Sequence, residues 1–486
     1  MSPLVQLVEV DGVPVVWRQG PEPLSAGLVL GVGRRDETFA HGGLTHLVEH
    51  LVMGSLPKSH LDRNASVGPG STEFTATGRP EAVAAFLEQV CLALADLPVD
   101  RLAVEARVLA AEEERSGGDL VGLLLLTRYG GTGLGLSGLV DPALPSLGAD
   151  LVREHARRWC VRENAVLWLT GPPPPGLRLP LPSGARPVRP PQRRVPLALP
   201  AQLRYPGSDP AVSFEGQVGH ALTTAARVLA DRLTDRLRHE GGHSYDVDWH
   251  GEPVDGGVGH VTVLTDAKEQ EVGDVVTSLW SEVQRMAHDG PTQAELDHDL
   301  AGAREYFADP RSAVAGVQAA AERLLRGHEP ERDEAILAEL EALTPDAVAQ
   351  ALRPALTSAL VLVPEVAPPV LPDVLELRDG AGEPVAGRAH KRRLRGDAPR
   401  GARLVVGDEG ATLHLGDDSL TVRFDDCVAV GTASADHQHV ELVGGHGLTL
   451  VLCAQDWKDG DAAVAQALAR TTGVLRYPVR AEAVDR

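Results

Sequence analysis

Gly43-Leu44-Thr45-His46-Leu47-Val48-Glu49-His50 decides the reading of this 486-residue chain. The Gly42-Gly43 pair ends a loop, and 44–52 then reads as a helix. His46 and His50 stand four residues apart, about one turn along one helical face, so both imidazoles can reach a single metal ion. Glu49 is three residues from His46, close enough for its carboxylate to face a water molecule on that ion. The order H-x-x-E-H reverses the commoner H-E-x-x-H zinc motif. The chain holds 18 histidines, and the string alone also describes two helix-surface histidines beside a glutamate. A catalytic zinc takes three protein ligands and keeps one position open, so the third must come from another element. The helix expected at 100–115 offers Glu105, Glu112, Glu113 and Glu114. Glu105 and Glu112 are seven residues apart and share a face, whereas Glu113 and Glu114 point elsewhere. The run Glu112-Glu113-Glu114 also reads as a plain solvated face.

Working outward, 5–10 and 13–18 read as strands joined by Asp11-Gly12, a hairpin turn signal, and 26–32 reads as a third strand. Beyond the motif come a strand at 71–77, a helix at 81–95, the break Asp96-Leu97-Pro98 and the helix 100–115. A helix at 150–159 and a strand at 165–170 close the block. The order then recurs. Strand 211–217 precedes helix 220–238, strand 259–265 precedes helix 269–287, and the break Gly290-Pro291 starts another helix before a strand at 360–363. Pro98 to Glu112 and Pro291 to Glu305 both span 14 residues, with Leu102 and Leu296 just inside each helix. This is the pattern of an internal duplication, in which only the first copy carries the histidine motif.

Two proline-rich stretches divide the chain into 1–175, a linker 176–206, a second block 207–365, a linker 366–399 and a last block 400–486. The second linker contains His390-Lys391-Arg392-Arg393-Leu394-Arg395, a basic knot read as solvated linker in preference to a binding patch. The last block shows five short strands and one helix at 460–472. Its element order resembles a pleckstrin-homology-like module.

Composition narrows the function classes. Hydrophobic residues make up 43% and charged residues 23%, an ordinary globular balance. A net charge of −22 argues against nucleic acid and against an anionic membrane surface as partner. Cys91, Cys160, Cys427 and Cys453 lie far apart, which fits free thiols in a reducing compartment. The N-terminus has no basic n-region or long apolar run, and no apolar stretch is long enough to span a bilayer, so a soluble, cytoplasmic protein is expected.

The motif and its surroundings resemble the pitrilysin/insulinase peptidases, whose smaller members include the mitochondrial processing peptidase subunits. The resemblance covers about 1–365. It rests on Gly33-Arg34-Arg35-Asp36-Glu37, on the motif helix and its exit Leu51-Val52-Met53-Gly54-Ser55, and on Arg63-Asn64-Ala65-Ser66 followed by Ser71-Thr72-Glu73-Phe74-Thr75. It extends to Leu237-Arg238-His239-Glu240-Gly241-Gly242-His243-Ser244-Tyr245 in the second block. The implied fold class is α+β, with two homologous repeats, each an antiparallel sheet with helices packed on one side, forming half of a clam-shell. A small C-terminal β-rich module with one helix follows them.

The implied activity is zinc-dependent hydrolysis of short or flexible peptides, with peptide maturation or leader removal as one role. The resemblance makes His46, His50 and Glu112 ligands of one Zn2+, Glu49 the general base and Glu105 a carboxylate behind the ligands. Glu113 stays open as an alternative third ligand, because only 62 residues separate His50 from Glu112, fewer than is usual for the family. Arg238 and Tyr245, at the family's spacing of seven, would donate to the oxyanion. Asn64 and Ala65 would bind substrate, and the strand at 71–77 would offer a sheet edge to an extended peptide. A homodimer, or a heterodimer with a related subunit, would complete the clam-shell. The alternative is a catalytically silent partner subunit that binds peptides.

Overall fold

A computed structural model describes residues 5–115, 119–206, 209–240, 246–268, 270–364, 371–377, 380–433 and 438–479. The first repeat contains β1 (Gln6–Val10), β2 (Val13–Trp17), β3 (Leu24–Leu30), α1 (Leu44–Ser55), β4 (Asp62–Val67) and β5 (Thr72–Gly78). It continues with α2 (Pro80–Ala95), α3 (Leu102–Arg115), α4 (Leu120–Tyr129), α5 (Ala149–Trp159) and β6 (Ala165–Leu169). Its sheet runs β1-β2-β6-β3-β5-β4, antiparallel except where β2 meets β6. The second repeat has β7 (Ala201–Tyr205), β8 (Ala211–Gln217), α6 (His220–Thr234), β9 (Val247–Asp255), β10 (Val258–Thr265), α7 (Val272–Asp289) and α8 (Gln293–Ala308). Then follow α9 (Ala313–Leu325), α10 (Asp333–Glu341), α11 (Pro345–Ala355), β11 (Leu360–Pro364) and the short β12 (Leu375–Glu376). Its sheet runs β12-β7-β11-β8-β10-β9. Strand for strand, β2-β6-β3-β5-β4 matches β7-β11-β8-β10-β9, including the parallel pair β7–β11. The duplication is thus present in topology.

Each sheet buries one face under its own helices. Leu28, Leu30, Phe74, Leu167 and Leu169 meet Leu47, Leu51, Val83 and Leu87 from α1 and α2, and Val212, Phe214, Val263 and Val361 play the same part in the second repeat. The other faces are covered by exchange. From the second repeat, α9 lays Val317, Ala320, Ala321 and Leu325 on Val16, Val29, Val166 and Trp168 of the first sheet. From the first repeat, α4 lays Leu124 on Ala201, Ala211, Leu360 and Leu362 of the second. Strands β6 and β11 are therefore buried at every position, which explains their unbroken apolar sequences. Packing of helices on one side describes each repeat by itself, and the neighbouring repeat supplies the second layer.

The last part of the chain forms two four-stranded sheets and α12 (Gly460–Arg470) around their own core, which includes Leu404, Val422, Leu442, Leu452 and Trp457. The first sheet orders β13 (Arg388–Lys391), β14 (Arg403–Val406), β15 (Gly410–Leu415) and β16 (Asp418–Arg423). The second comprises β17 (Cys427–Thr432), β18 (His439–Gly444), β19 (Thr449–Cys453) and β20 (Arg476–Pro478), in the order β19-β18-β17-β20. Three strands fall inside the expected linkers: β7 within 176–206, and β12 and β13 within 366–399. All are two to five residues long, so their pairing is decided by distant partners. The C-terminal part also packs on the first repeat. Tyr477 and Phe39 place their ring centroids 5.5 Å apart, and Ala429 and Val443 join the first repeat's core.

Candidate metal centre

The helix α1 is held at its entrance before it presents anything. Gly43 caps it with φ +85°, and a Cβ there would lie 2.8 Å from Leu144 and 3.0 Å from Asp141, so glycine is required. Glu37 reaches back to this terminus, accepting the Gly43 N–H at 2.9 Å and the Thr45 N–H at 2.6 Å. These are donors that helix geometry leaves without partners. Arg34 clamps Asp141 through two 2.8 Å bonds beside the glycine pair. Thr45 Oγ1 and His155 Nε2 of α5 are 3.0 Å apart. The rotation of α1 is thereby set from three sides, with Leu44, Leu47, Val48, Leu51 and Val52 buried beneath it.

That rotation brings the motif together. The rings of His46 and His50 meet edge to face with centroids 4.9 Å apart. Glu49 Oε2 lies 3.7 Å from each Nε2. These three side chains place ligand-capable atoms within 4.8 Å of one another. Glu112 joins from α3, its Oε2 3.6 Å from His50 Nε2. On the far side of the same ring, Glu105 Oε2 is 3.4 Å from His50 Nδ1, while Arg101 holds the other Glu105 oxygen at 2.8 Å. Glu105, Leu109 and Glu112 form one stripe of α3, and Leu109 is buried in the core between the two acids. The face shared by Glu105 and Glu112 is the face that meets α1.

The electrostatics separate the roles these groups can take. Burial pushes His46 down to about 4, and His50 and Arg34 act in the same sense against Glu112 and Asp141. Its imidazole is therefore neutral near pH 7 with a lone pair available, and its proximity to Glu49 is not an ion pair. Burial pushes the Glu49 carboxyl up to about 7, with Glu112 and Glu105 raising it against the pull of His50. A carboxyl balanced near neutrality can both accept and return a proton. Two carboxylates thus face the histidine Nε2 atoms: a buried one from α1 and, from α3, Glu112 with 47% of its side chain exposed.

Not every expected residue is placed. Arg238 sits in a π-helical turn after α6, but its side chain, those of Glu113 and Glu114, and all of Tyr245 lie outside the described residues. Asn64 and Ala65 lie on β4, a strand of polar alternation that sequence reading left unassigned. This corrects the expected substrate edge. The segment 71–77 forms β5, which pairs with β3 on one side and β4 on the other and has no free edge. Among the described residues the outermost strand on that side is β4, which also packs beside α1. Sequence reading also missed His155 in its contact with Thr45. Its only local signal was a histidine on the buried stripe Val152, Ala156, Trp159 of α5.

Comparison with known proteins bears on the fold. No protein-family model matches the chain, and no curated protein matches it. Solved structures do. A protease from Helicobacter pylori matches 75% of this chain and 100% of its own, at 16% identity and a TM-score of 0.60. A peptidase M16 inactive domain from Pseudomonas fluorescens matches 75% of this chain and 98% of its own, at 16% identity and a TM-score of 0.62. The first half of the periplasmic protease PqqL from Escherichia coli matches 74% and 91%, at 14% identity and 0.54. About three quarters of the chain therefore shares the fold of these proteins, two of them described as proteases and one as an inactive peptidase M16 domain.

Proposed function

We propose that this chain is a zinc-dependent peptidase, and that His46, His50 and Glu112 hold the ion. One observation carries the reading: His46, Glu49 and His50 gather ligand-capable atoms within 4.8 Å of one another, and Glu112 from a second helix stands 3.6 Å from His50. The donor set suits a divalent ion of borderline hardness. The orientation of the rings supports it, because Glu105 engages His50 Nδ1 and leaves Nε2 toward Glu112. When bound, zinc would supply Lewis-acid chemistry, acidifying a water molecule and polarising a peptide carbonyl.

The chain's own groups do the rest. Glu49 takes the proton of the attacking water and delivers it to the leaving amine, a task suited to a carboxyl titrating near 7. Glu112 is the better ligand of the two facing acids because it is the more exposed and comes from across the site, whereas Glu49 is buried on the histidines' own helix. Glu105 fixes the tautomer and direction of His50. An extended peptide adds to the open edge of β4 at Asn64 and Ala65, which runs beside α1. Arg238 and Tyr245 donate to the developing oxyanion from the second half of the enclosure, supplied by another copy of this chain or by a related subunit. Among the described residues no helix is long and apolar enough to cross a membrane and all four cysteines are free, which fits a reducing, cytoplasmic setting.

A second reading has one observation in its favour, since a structural neighbour is an inactive domain. In it the chain is a silent partner that binds peptides. The test is metal content of the purified chain together with cleavage of a mixed peptide library, with and without a chelator. Stoichiometric zinc and chelator-sensitive cleavage support the peptidase. Metal-free protein that binds peptides without cutting them establishes the silent partner.

A further inference from the structure

The basic knot belongs to the C-terminal part and not to a linker. Between 388 and 403 stand seven Arg or Lys residues and a single acid, Asp397, in a chain whose net charge is −22. The pairing of β13 with β14 sets Lys391 opposite Arg403, and that of β14 with β15 sets Arg403 opposite His414. Directly opposed residues of an antiparallel sheet share one face about 5 Å apart, and like charges so placed destabilise it. Two cations, Lys391 and Arg403, therefore stand side by side at a cost to the fold, with the His414 imidazole next to them.

The loop after β13 extends this row. Arg392 donates to the carbonyls of Arg393, Leu394, Gly396 and Ala398, so its side chain staples the loop shut. The neighbours it displays, Arg393, Leu394 and Arg395, face solvent, and Leu394 is 96% exposed. Lys391, Arg393, Arg395, Arg400 and Arg403 make no side-chain hydrogen bond or ion pair among the described residues. Cations on an edge strand often serve only to block edge-to-edge pairing. That does not account for this patch: Arg403 lies on an inner strand, and the edge beside it is already closed by Lys458 N–H on Lys391 O and Arg393 N–H on Asp456 O.

We propose that the loop 392–395, with Lys391 and Arg403 beside it at the adjoining ends of β13 and β14, docks a short acidic segment of a partner protein whose carboxylates pair with these cations and whose apolar residue covers Leu394. Charge complementarity selects the occupant. Surface fields fade within about 8 Å at physiological salt, so a short segment feels the patch alone. A membrane plane or a long nucleic acid would face the acidic remainder of the molecule as well.

The experiment uses the full chain and fluorescence anisotropy with a labelled oligo-Glu peptide carrying one leucine. An oligo-Gln counterpart and phosphatidylserine vesicles serve as alternatives. The expected result is saturable binding of the acidic peptide that weakens with salt and falls at least about tenfold in R393E/R395E and in K391E/R403E. Those side chains have no partners to lose, so melting temperatures stay at the wild-type value. R393E/R395E, confined to the loop, decides the matter if the strand variant melts early. No binding at low salt, equal binding by R393E/R395E, equal binding of oligo-Gln, or capture by vesicles instead of peptide overturns the proposal.

Discussion

Removing the Glu105 side chain tests the proposed metal site. Glu105 is kept off the metal in this account, yet its Oε2 stands 3.4 Å from His50 Nδ1 and its side chain is only 8% exposed. Glu105→Ala deletes the acceptor that fixes the ring, and His50 then turns in the space left by the carboxylate. Groups in this position contribute about ten- to a hundredfold in metal affinity, or about 1.4 to 2.7 kcal/mol. Glu105→Gln keeps an amide oxygen near Nδ1 and loses only the charge, so it belongs at the low end of that range. Arg101 is 57% exposed and stays solvated when its partner goes, so little of the effect reflects an abandoned cation. Glu112→Ala removes a ligand and must exceed both. The assay is competition for zinc against a chelating indicator at fixed pH, alongside peptide cleavage. The predicted order of loss is Glu112→Ala, then Glu105→Ala, then Glu105→Gln. Unchanged affinity in Glu105→Ala, or a greater loss there than in Glu112→Ala, refutes the assignment of these two acids.

Three further outcomes follow from the same geometry. Glu49→Gln should keep stoichiometric zinc and lose peptide cleavage by at least about a hundredfold, measured as kcat on a cleaved library peptide; a fully active variant removes Glu49 as the base. His155 is buried and held down to about 4, with burial the largest cause, whereas the unfolded imidazole titrates near 6.5. The unfolded chain therefore binds the extra proton in that window, so this contribution to stability is complete above pH 6.5 and lost as pH falls toward 4. It amounts to about 2 kcal/mol between pH 7 and pH 5. Urea unfolding at the two pH values should show that loss in the wild type and a smaller one in His155→Gln; identical slopes contradict it. Tyr477→Ala empties a buried position against Phe39 and should cost about 3 kcal/mol or more in thermal or urea unfolding, whereas a tether would make it neutral.

Much of this arrangement could be read from local sequence. The spacing of His46, Glu49 and His50 fixed their common face, and the seven-residue interval of Glu105 and Glu112 placed both on the α3 stripe that meets α1. The duplication was visible because Pro98 to Glu112 and Pro291 to Glu305 cover the same distance, and the sheets repeat that equivalence. The unread parts share a physical cause: their stabilisation is not local. Strand β4 alternates polar residues with no apolar run, and only its register with β5 makes it a strand, so the open edge was assigned to the wrong segment. Strand β13 has no apolar run and forms because β14 pairs with it. Helices α4 and α9 bury their apolar faces on the opposite repeat, which no local period reveals. The Glu37 bonds to the start of α1 join residues six and eight apart, and the His155 contact with Thr45 joins residues 110 apart.

The central claim is convergence of two imidazoles and a carboxylate from a second helix on one ion. Zinc X-ray absorption on protein purified without added chelator tests it most directly. The expected result is one zinc per chain bound by two imidazole nitrogens plus oxygen donors, and loss of that signal in His46→Ala and in His50→Ala. A spectrum without histidine scattering, or one that survives both substitutions, would contradict it.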